Sequence, residues 1–212
     1  MGSVERKERE RQEMRQLILE TAMELFVEQG YENVTIRKIA DKIEYSPGTI
    51  YFYFKDKDDV LLALCSVAFG EFFKALKPMR DVRDPMERLR AGSRMYLRFA
   101  LEHQEFYDLM FIIRAPMRRQ EELRKEADEH QEKWDVFYGS FQILRDTICD
   151  CVAEGYFPPA TDIDAATIAY WSFVHGLASL RIRQRLPMIP EEGLEQVVNR
   201  AIDFMVSELS IR

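Results

Sequence analysis

Apolar residues recur along most of this chain at the three- and four-residue spacing of a helix with one buried face. In residues 12–29 they fall at Ile18, Ala22, Leu25 and Phe26, and Gly30 then supplies a stop. Thr35 can cap a second helix whose inward positions are Ile36, Ile39, Ala40 and Ile43. Ser46 is a further capping residue, followed by Pro47 at a first helical position, where its missing N–H does no harm. The short third helix that starts there turns Ile50 and Phe54 toward a core and leaves Thr49, Tyr51, Phe52 and Tyr53 around the rest. Asp56 offers a cap to a longer fourth helix with the apolar face Leu61, Leu64, Ala68, Phe72 and Leu76, ending before Pro78.

Beyond Pro85 no stretch alternates with the period of two that marks a half-buried strand. Candidate helices cover 85–103, 104–113, 118–155, 162–186 and 191–210, punctuated by Pro158, Pro159, Pro187 and Pro190. Residues 118–133 are almost wholly charged or amide. The pairs Glu121–Lys125 and Glu129–Lys133 favour a solvated helix there over a linker. From Trp134 the same helix becomes apolar, with Phe137, Phe141, Leu144 and Ile148 alternately three and four apart. The reading is an all-α chain of about nine helices: residues 8–57 form a three-helix helix-turn-helix domain, and 58–212 form a larger helical domain.

Composition narrows the function classes. With 47% hydrophobic and 32% charged residues the chain is not disordered, and no apolar run approaches the roughly 20 residues of a membrane span. Met1 is followed by Gly2, Ser3, Val4 and a charged stretch without the apolar core of a secretory signal, so a cytoplasmic protein with no membrane partner is expected. Cys65, Cys149 and Cys151 are too few and wrongly spaced for a disulfide framework or a zinc knuckle, and read as buried free thiols. The net charge of -7 argues against indiscriminate coating of nucleic acid, yet leaves room for a sequence-specific binder with a small basic face. Between Glu5 and Arg15 basic and acidic residues alternate, so their fields nearly cancel. A solvated helix extension fits better there than a minor-groove arm.

Two short helices joined by a tight turn, the second capped and outwardly aromatic, form the pattern of a helix-turn-helix. The run Thr35-Ile36-Arg37-Lys38-Ile39-Ala40, then Ser46-Pro47-Gly48-Thr49-Ile50-Tyr51-Phe52-Tyr53-Phe54-Lys55-Asp56-Lys57, makes it specific. It resembles the DNA-binding domain of the TetR family of regulators, whose pattern is T-x-x-x-I-A followed by S-x-G-T-[LI]-Y-x-Y-F-x-x-K. The resemblance covers about residues 12 to 64. It departs at the turn, where Glu44-Tyr45 replace the family's Gly-Val, which implies a slightly altered backbone with Tyr45 packed in place of a smaller residue.

The residue types suit a DNA face. Gly48 lets backbone approach a duplex closely, Ser46 starts the helix, and Tyr51 and Tyr53 carry hydroxyls suited to phosphate hydrogen bonds. Thr35 and Lys57 offer a hydroxyl and a point charge to phosphate. Arg37 can pair bidentately with guanine, while Pro47, Thr49 and Phe52 offer apolar contact to thymine methyls. The resemblance implies that these same positions face double-stranded operator DNA.

One such module touches few base pairs, so pairing of two copies is expected. The helix around 162–183 is apolar nearly all round, and the last helix carries Leu194, Val197, Val198, Ala201, Ile202, Met205 and Leu209. Trp171, His175, Gly176, Leu180, Val198, Ile202 and Met205 are the expected homodimer contacts, in a four-helix bundle with the two-fold mate. Trp171-Ser172-Phe173-Val174-His175-Gly176-Leu177 also resembles the tryptophan–histidine–glycine segment of many TetR-family sensor domains. An apolar effector cavity would draw on Phe99, Phe106, Met110, Phe111, Trp134, Phe137, Tyr138, Phe141 and Trp171, with Arg114 as the one cation to watch. The expected effector is small and hydrophobic or aromatic.

No nucleophile-and-base pair, phosphate-cradling loop or metal spacing is evident, so no catalytic residue, metal or cofactor is expected. Two function readings remain open at this point. One is a ligand-released repressor; the other is a DNA-binding regulator acting through a protein partner, or an activator without a small-molecule inducer.

Overall fold

Helix α1, Ser3–Gln29, begins well before the apolar stripe that predicts it. The stripe starts at Ile18, and the exposed turns ahead of it carry the ion pairs Arg6–Glu10 and Arg9–Glu13 at i, i+4, which suit a solvated helix. Gly30, at φ 79, stops it, in a backbone region open to glycine. The computed structural model describes residues 3–113 and 131–209. Among the described residues it contains nine α-helices, two short 3-10 segments and no strand. After α1 come α2 (Ile36–Lys42), α3 (Pro47–Tyr53), α4 (Lys57–Leu76), α5 (Pro85–Glu102) and α6 (Gln104–Phe111). Then follow α7 (Gln131–Ala153), α8 (Ile163–Ile182) and α9 (Glu191–Leu209). The charged stretch 118–130 and Arg114 lie outside the described residues, as do the side chains of Trp134 and Phe137.

The helices gather into two compact units, and the division falls inside α4, between Ala68 and Phe69. The first unit holds α1 to α3, the first part of α4, and α6. Its core is the predicted set of stripes: Ile18, Ala22, Leu25 and Phe26 of α1, Ile36, Ile39 and Ala40 of α2, Ile50 and Phe54, and Leu61 and Leu64 of α4 are all buried. Ile43 is only half-buried. The caps form where expected: Thr35 Oγ1 accepts from the Lys38 N–H at 3.2 Å, Ser46 Oγ from Thr49 at 3.3 Å, and Asp56 from Asp59 at 2.8 Å.

The turn between α2 and α3 places a non-glycine residue in left-handed backbone. Glu44 sits at φ 61, its N–H reaches the Asp41 carbonyl, and the Tyr45 N–H reaches back to Ala40 at 3.0 Å. This is the two-bond helix terminus that glycine usually makes. Tyr45 is 46% exposed, so it does not pack inward as the departure from the family pattern implied. A glutamate in this backbone region carries a steric cost that glycine lacks, partly offset by glycine's freer unfolded chain. Glu44→Gly is therefore expected to raise stability by about 0.5 to 1 kcal/mol, read as a higher midpoint in thermal or urea unfolding.

The second unit contains the rest of α4, then α5, α7, α8 and α9. Asp84 caps α5 by accepting from the Met86 and Glu87 N–H groups at 2.8 and 2.9 Å, and α5 packs on both α8 and α9. Their buried contact is not wholly apolar. Tyr170 OH lies 2.8 Å from Ser93 Oγ and donates to the Leu89 carbonyl at 3.0 Å. The inward stripe of α9 is Leu194, Val198, Ile202 and Val206. Two of the expected dimer contacts, Val198, 8% exposed, and Ile202, fully buried, lie in the core of their own chain. An apolar stripe reports burial without saying against which neighbour. Phe204, absent from the expected set, is 66% exposed.

Candidate functional site

Helix α3 has two unlike faces on seven residues. Ile50 is fully buried, which anchors the helix, whereas Phe52 is 74% and Tyr51 57% exposed. Gly48, also exposed, lies three and four positions before these two, so the three share one outward face. Tyr53 is half-buried and meets the Phe52 ring edge-on at 5.2 Å between centroids. The Ser46 and Thr49 hydroxyls lie 3.2 Å apart at the start of the helix, beside half-buried Pro47. The helix is thus held from behind and presents aromatic side chains outward.

Gly48 has no internal reason to be glycine. Its backbone angle is ordinary, and a Cβ there would meet only Ser46 Oγ, at 3.5 Å. On α2, the Arg37 guanidinium is exposed and 3.9 Å from the Asp41 carboxylate, a pairing loose enough to leave. Other cations nearby are committed to the fold: Lys38 donates to Gln29 and to the Asn33 carbonyl, and Lys42 pairs with Glu24. Lys57 is held as well. Its ammonium donates to the Tyr31 carbonyl at 2.7 Å and lies 4.0 Å over the Tyr31 ring, so it must leave that seat to reach a phosphate. The Tyr31 hydroxyl in turn donates to Asp58. Burial, then the Asp58 carboxylate, push that phenol far above its ordinary range and keep it a donor.

The described residues of the expected effector set are divided between the two units. Phe106, Met110 and Phe111 are half-buried on α6, in the first unit. Phe99, Phe141 and Trp171 belong to the second, with Tyr138, which is 52% exposed on α7. Within that second unit a chain of aromatic contacts runs from helix to helix. Phe72 of α4 meets Tyr96 at 5.2 Å and Phe99 at 5.0 Å, Tyr96 OH lies 3.0 Å from His175 Nδ1, and Trp171 meets His175 at 6.0 Å and Phe141 at 6.3 Å. Sequence reasoning placed Phe72 in the core and passed over Tyr96, because an aromatic residue on an inward stripe gives no sign of a polar partner on another helix.

Trp171 and His175, expected at a dimer contact, thus face neighbours in their own protomer. Gly176, by contrast, has no atom within 4 Å of where a Cβ would stand, and Leu180 is 40% exposed. Met205 is half-buried. Burial holds the His175 imidazole below its ordinary range, so the folded protein takes up a proton there less readily than the unfolded chain. As pH falls through about 6.5 the unfolded chain therefore binds more protons at this group, and acidification removes stability. A His175→Gln variant should lose less stability than the parent between pH 7 and 5.5, measured by urea unfolding at each pH.

The thiols are free, and burial pushes both Cys65 and Cys151 up to about 12, well away from reactive thiolate behaviour. Among the described residues no cluster of three metal-ligating side chains occurs, and no helix is long and apolar enough to cross a membrane.

Comparison with known proteins agrees with this architecture. The profile of bacterial regulatory proteins of the tetR family matches residues 18–64, and that of the tetracyclin repressor-like C-terminal domain matches 89–205. A fatty acid metabolism regulator protein of Bacillus subtilis is 26% identical over 154 residues, spanning 70% of this chain and 73% of that one. The fatty acid degradation regulator FadR of Bacillus halodurans superposes with a TM-score of 0.70 at 21% identity, covering 93% of this chain and 97% of that one. FadR of Bacillus subtilis, in complex with stearoyl-CoA, does so with a TM-score of 0.69 at 19% identity, over 91% and 97% of the two chains. With both family profiles in register on the chain's two helical parts, this protein belongs to the TetR family of bacterial transcriptional regulators.

Proposed function

We propose that the chain is a homodimeric repressor that holds a palindromic operator through the outward face of α3 and releases it when a hydrophobic effector occupies the second unit. The observation that carries the DNA half is the contrast on α3 between buried Ile50 and exposed Tyr51 and Phe52. Pro47, Thr49 and Phe52 are suited to thymine methyls, Arg37 to guanine, and the hydroxyls of Thr35, Tyr51 and Tyr53 to phosphate. Support for an acyl-bearing effector comes from the chain's relatives, two fatty-acid regulators and one in complex with stearoyl-CoA. Helix α4 contributes to both units, so an effector that prefers one α4 position biases the spacing of the two α3 helices.

Gel-shift titration against the DNA upstream of the chain's own gene tests this reading. The parent is expected to retard that DNA and to release it on addition of stearoyl-CoA, and a Tyr51→Ala, Phe52→Ala variant to retard it far less. Retardation unchanged by the double variant would remove α3 from the account. For the dimer, Gly176→Leu fills space that its own protomer leaves open, so it is expected to weaken self-association about tenfold or more by sedimentation, with helicity retained.

A further inference from the structure

Buried hydroxyls in the second unit mostly turn back onto their own helix. Ser93 donates to the Leu89 carbonyl, Thr147 to Ile143 and Thr167 to Ile163, each four residues earlier. Ser140 on α7 does not. The residue is 7% exposed, its Oγ is buried, and that oxygen has no hydrogen-bond partner. An orphaned buried hydroxyl carries a desolvation cost that a partner would remove.

Its neighbours fix the direction in which it points. Gly139 lies against α4, where a Cβ would stand 2.8 Å from the Phe73 ring, and Phe141 meets Trp171 of α8. Successive helical residues are rotated by about 100°, so Ser140 lies between these two directions, on the side of α7 flanked by α4 and α8. From Trp171 the contacts already described continue around to α4: Trp171 meets His175, His175 meets Tyr96 of α5, and Tyr96 meets Phe72, the residue before Phe73. The polar groups on this ring of side chains are two hydroxyls, an imidazole and the Trp171 indole N–H. None of its members is a lysine, an arginine or a carboxylate. Arg80, 6.0 Å over the Phe73 ring, is itself exposed.

We infer that Ser140 Oγ is the polar anchor of the effector site, donating to an uncharged carbonyl oxygen of a ligand whose apolar body lies among Phe72, Phe99, Phe141 and Trp171. An ester, thioester or ketone carbonyl accepts from Ser140, with the Tyr96–His175 pair as a second polar wall. A free carboxylate would give up water with no cation among the described members of the ring to meet it. The inference rests on the effector reading proposed above and adds the chemistry of the group that is recognised.

The test uses the full-length chain with two probes of equal length, methyl decanoate and decanoate, at pH 8, where the acid is ionised. Binding is read by thermal shift and isothermal titration, and operator release by gel shift. The ester is expected to bind more tightly than the acid. Ser140→Ala should melt at the same temperature as the ligand-free parent or higher, since it deletes an unsatisfied hydroxyl, while binding the ester about three- to tenfold more weakly. Ser140→Cys, a weaker donor of similar size, should fall between. Equal ester affinity in parent and Ser140→Ala, or a preference for decanoate, overturns the anchor and leaves the effector reading standing. A parent that binds the ester as expected yet keeps its grip on DNA overturns the release mechanism and leaves the anchor. A parent that binds neither probe overturns both.

Discussion

Gly48→Ala is expected to fold as well as the parent and to bind operator DNA about tenfold more weakly, or worse. The first half follows from the protein alone: the backbone at 48 is ordinary, and the added methyl would meet only Ser46 Oγ at a comfortable 3.5 Å. Alanine is also the better helix former, by up to about 1 kcal/mol. The second half follows from the exposed position of Gly48 on the face it shares with Tyr51 and Phe52. A methyl group forced into a close interface costs about 1 to 3 kcal/mol, and 1.4 kcal/mol is a factor of ten. Thermal unfolding and a fluorescence-anisotropy titration on the same preparation separate the two effects. A variant that binds as tightly as the parent would mean that no backbone approaches DNA at this point.

The second large effect comes from the opposite side of the same helix. Ile50 is fully buried and anchors α3 to the core shared with α1 and α2, so Ile50→Ala should cost about 2 to 5 kcal/mol. Against a typical stability of about 5 to 15 kcal/mol, that is enough to leave the DNA-binding unit partly unfolded at moderate temperature. Phe52→Ala, two residues on and of larger volume, should change stability by less than about 0.5 kcal/mol because its ring is 74% exposed. The pair of variants distinguishes a helix held from behind and open in front from a helix merely loose. Chemical unfolding curves would show one midpoint fall sharply and the other stay in place.

The first unit was largely legible because its signals are local. Caps at Thr35, Ser46 and Asp56 and stripes through Ile39, Ile50 and Leu64 need only a helix and a core, and each appears where the spacing put it. Helix α1 begins earlier than its apolar stripe because a solvated segment held by Arg–Glu pairs leaves no hydrophobic periodicity to read. The second unit was legible as helices but not as partners. The apolar stripe assigns Val198 and Ile202 to a mate, and the packing of α9 on α5 buries them within their own chain. Ser140 illustrates the limit most plainly. One serine on an apolar helix is unremarkable in a sequence, and it acquires meaning only when its neighbours are seen to touch α4 on one side and α8 on the other.

The central claim is that the exposed face of α3 reads DNA, one copy from each of two chains. Selection of bound sequences from a random duplex library, run in parallel on the parent and on Phe52→Ala, tests it most directly. The parent should enrich a two-fold symmetric site with half-sites about one helical turn apart or a multiple of it, and Phe52→Ala should lose a thymine preference at the same position in both halves. Enrichment of an unsymmetric site, or of the same bases in both selections, would contradict the account.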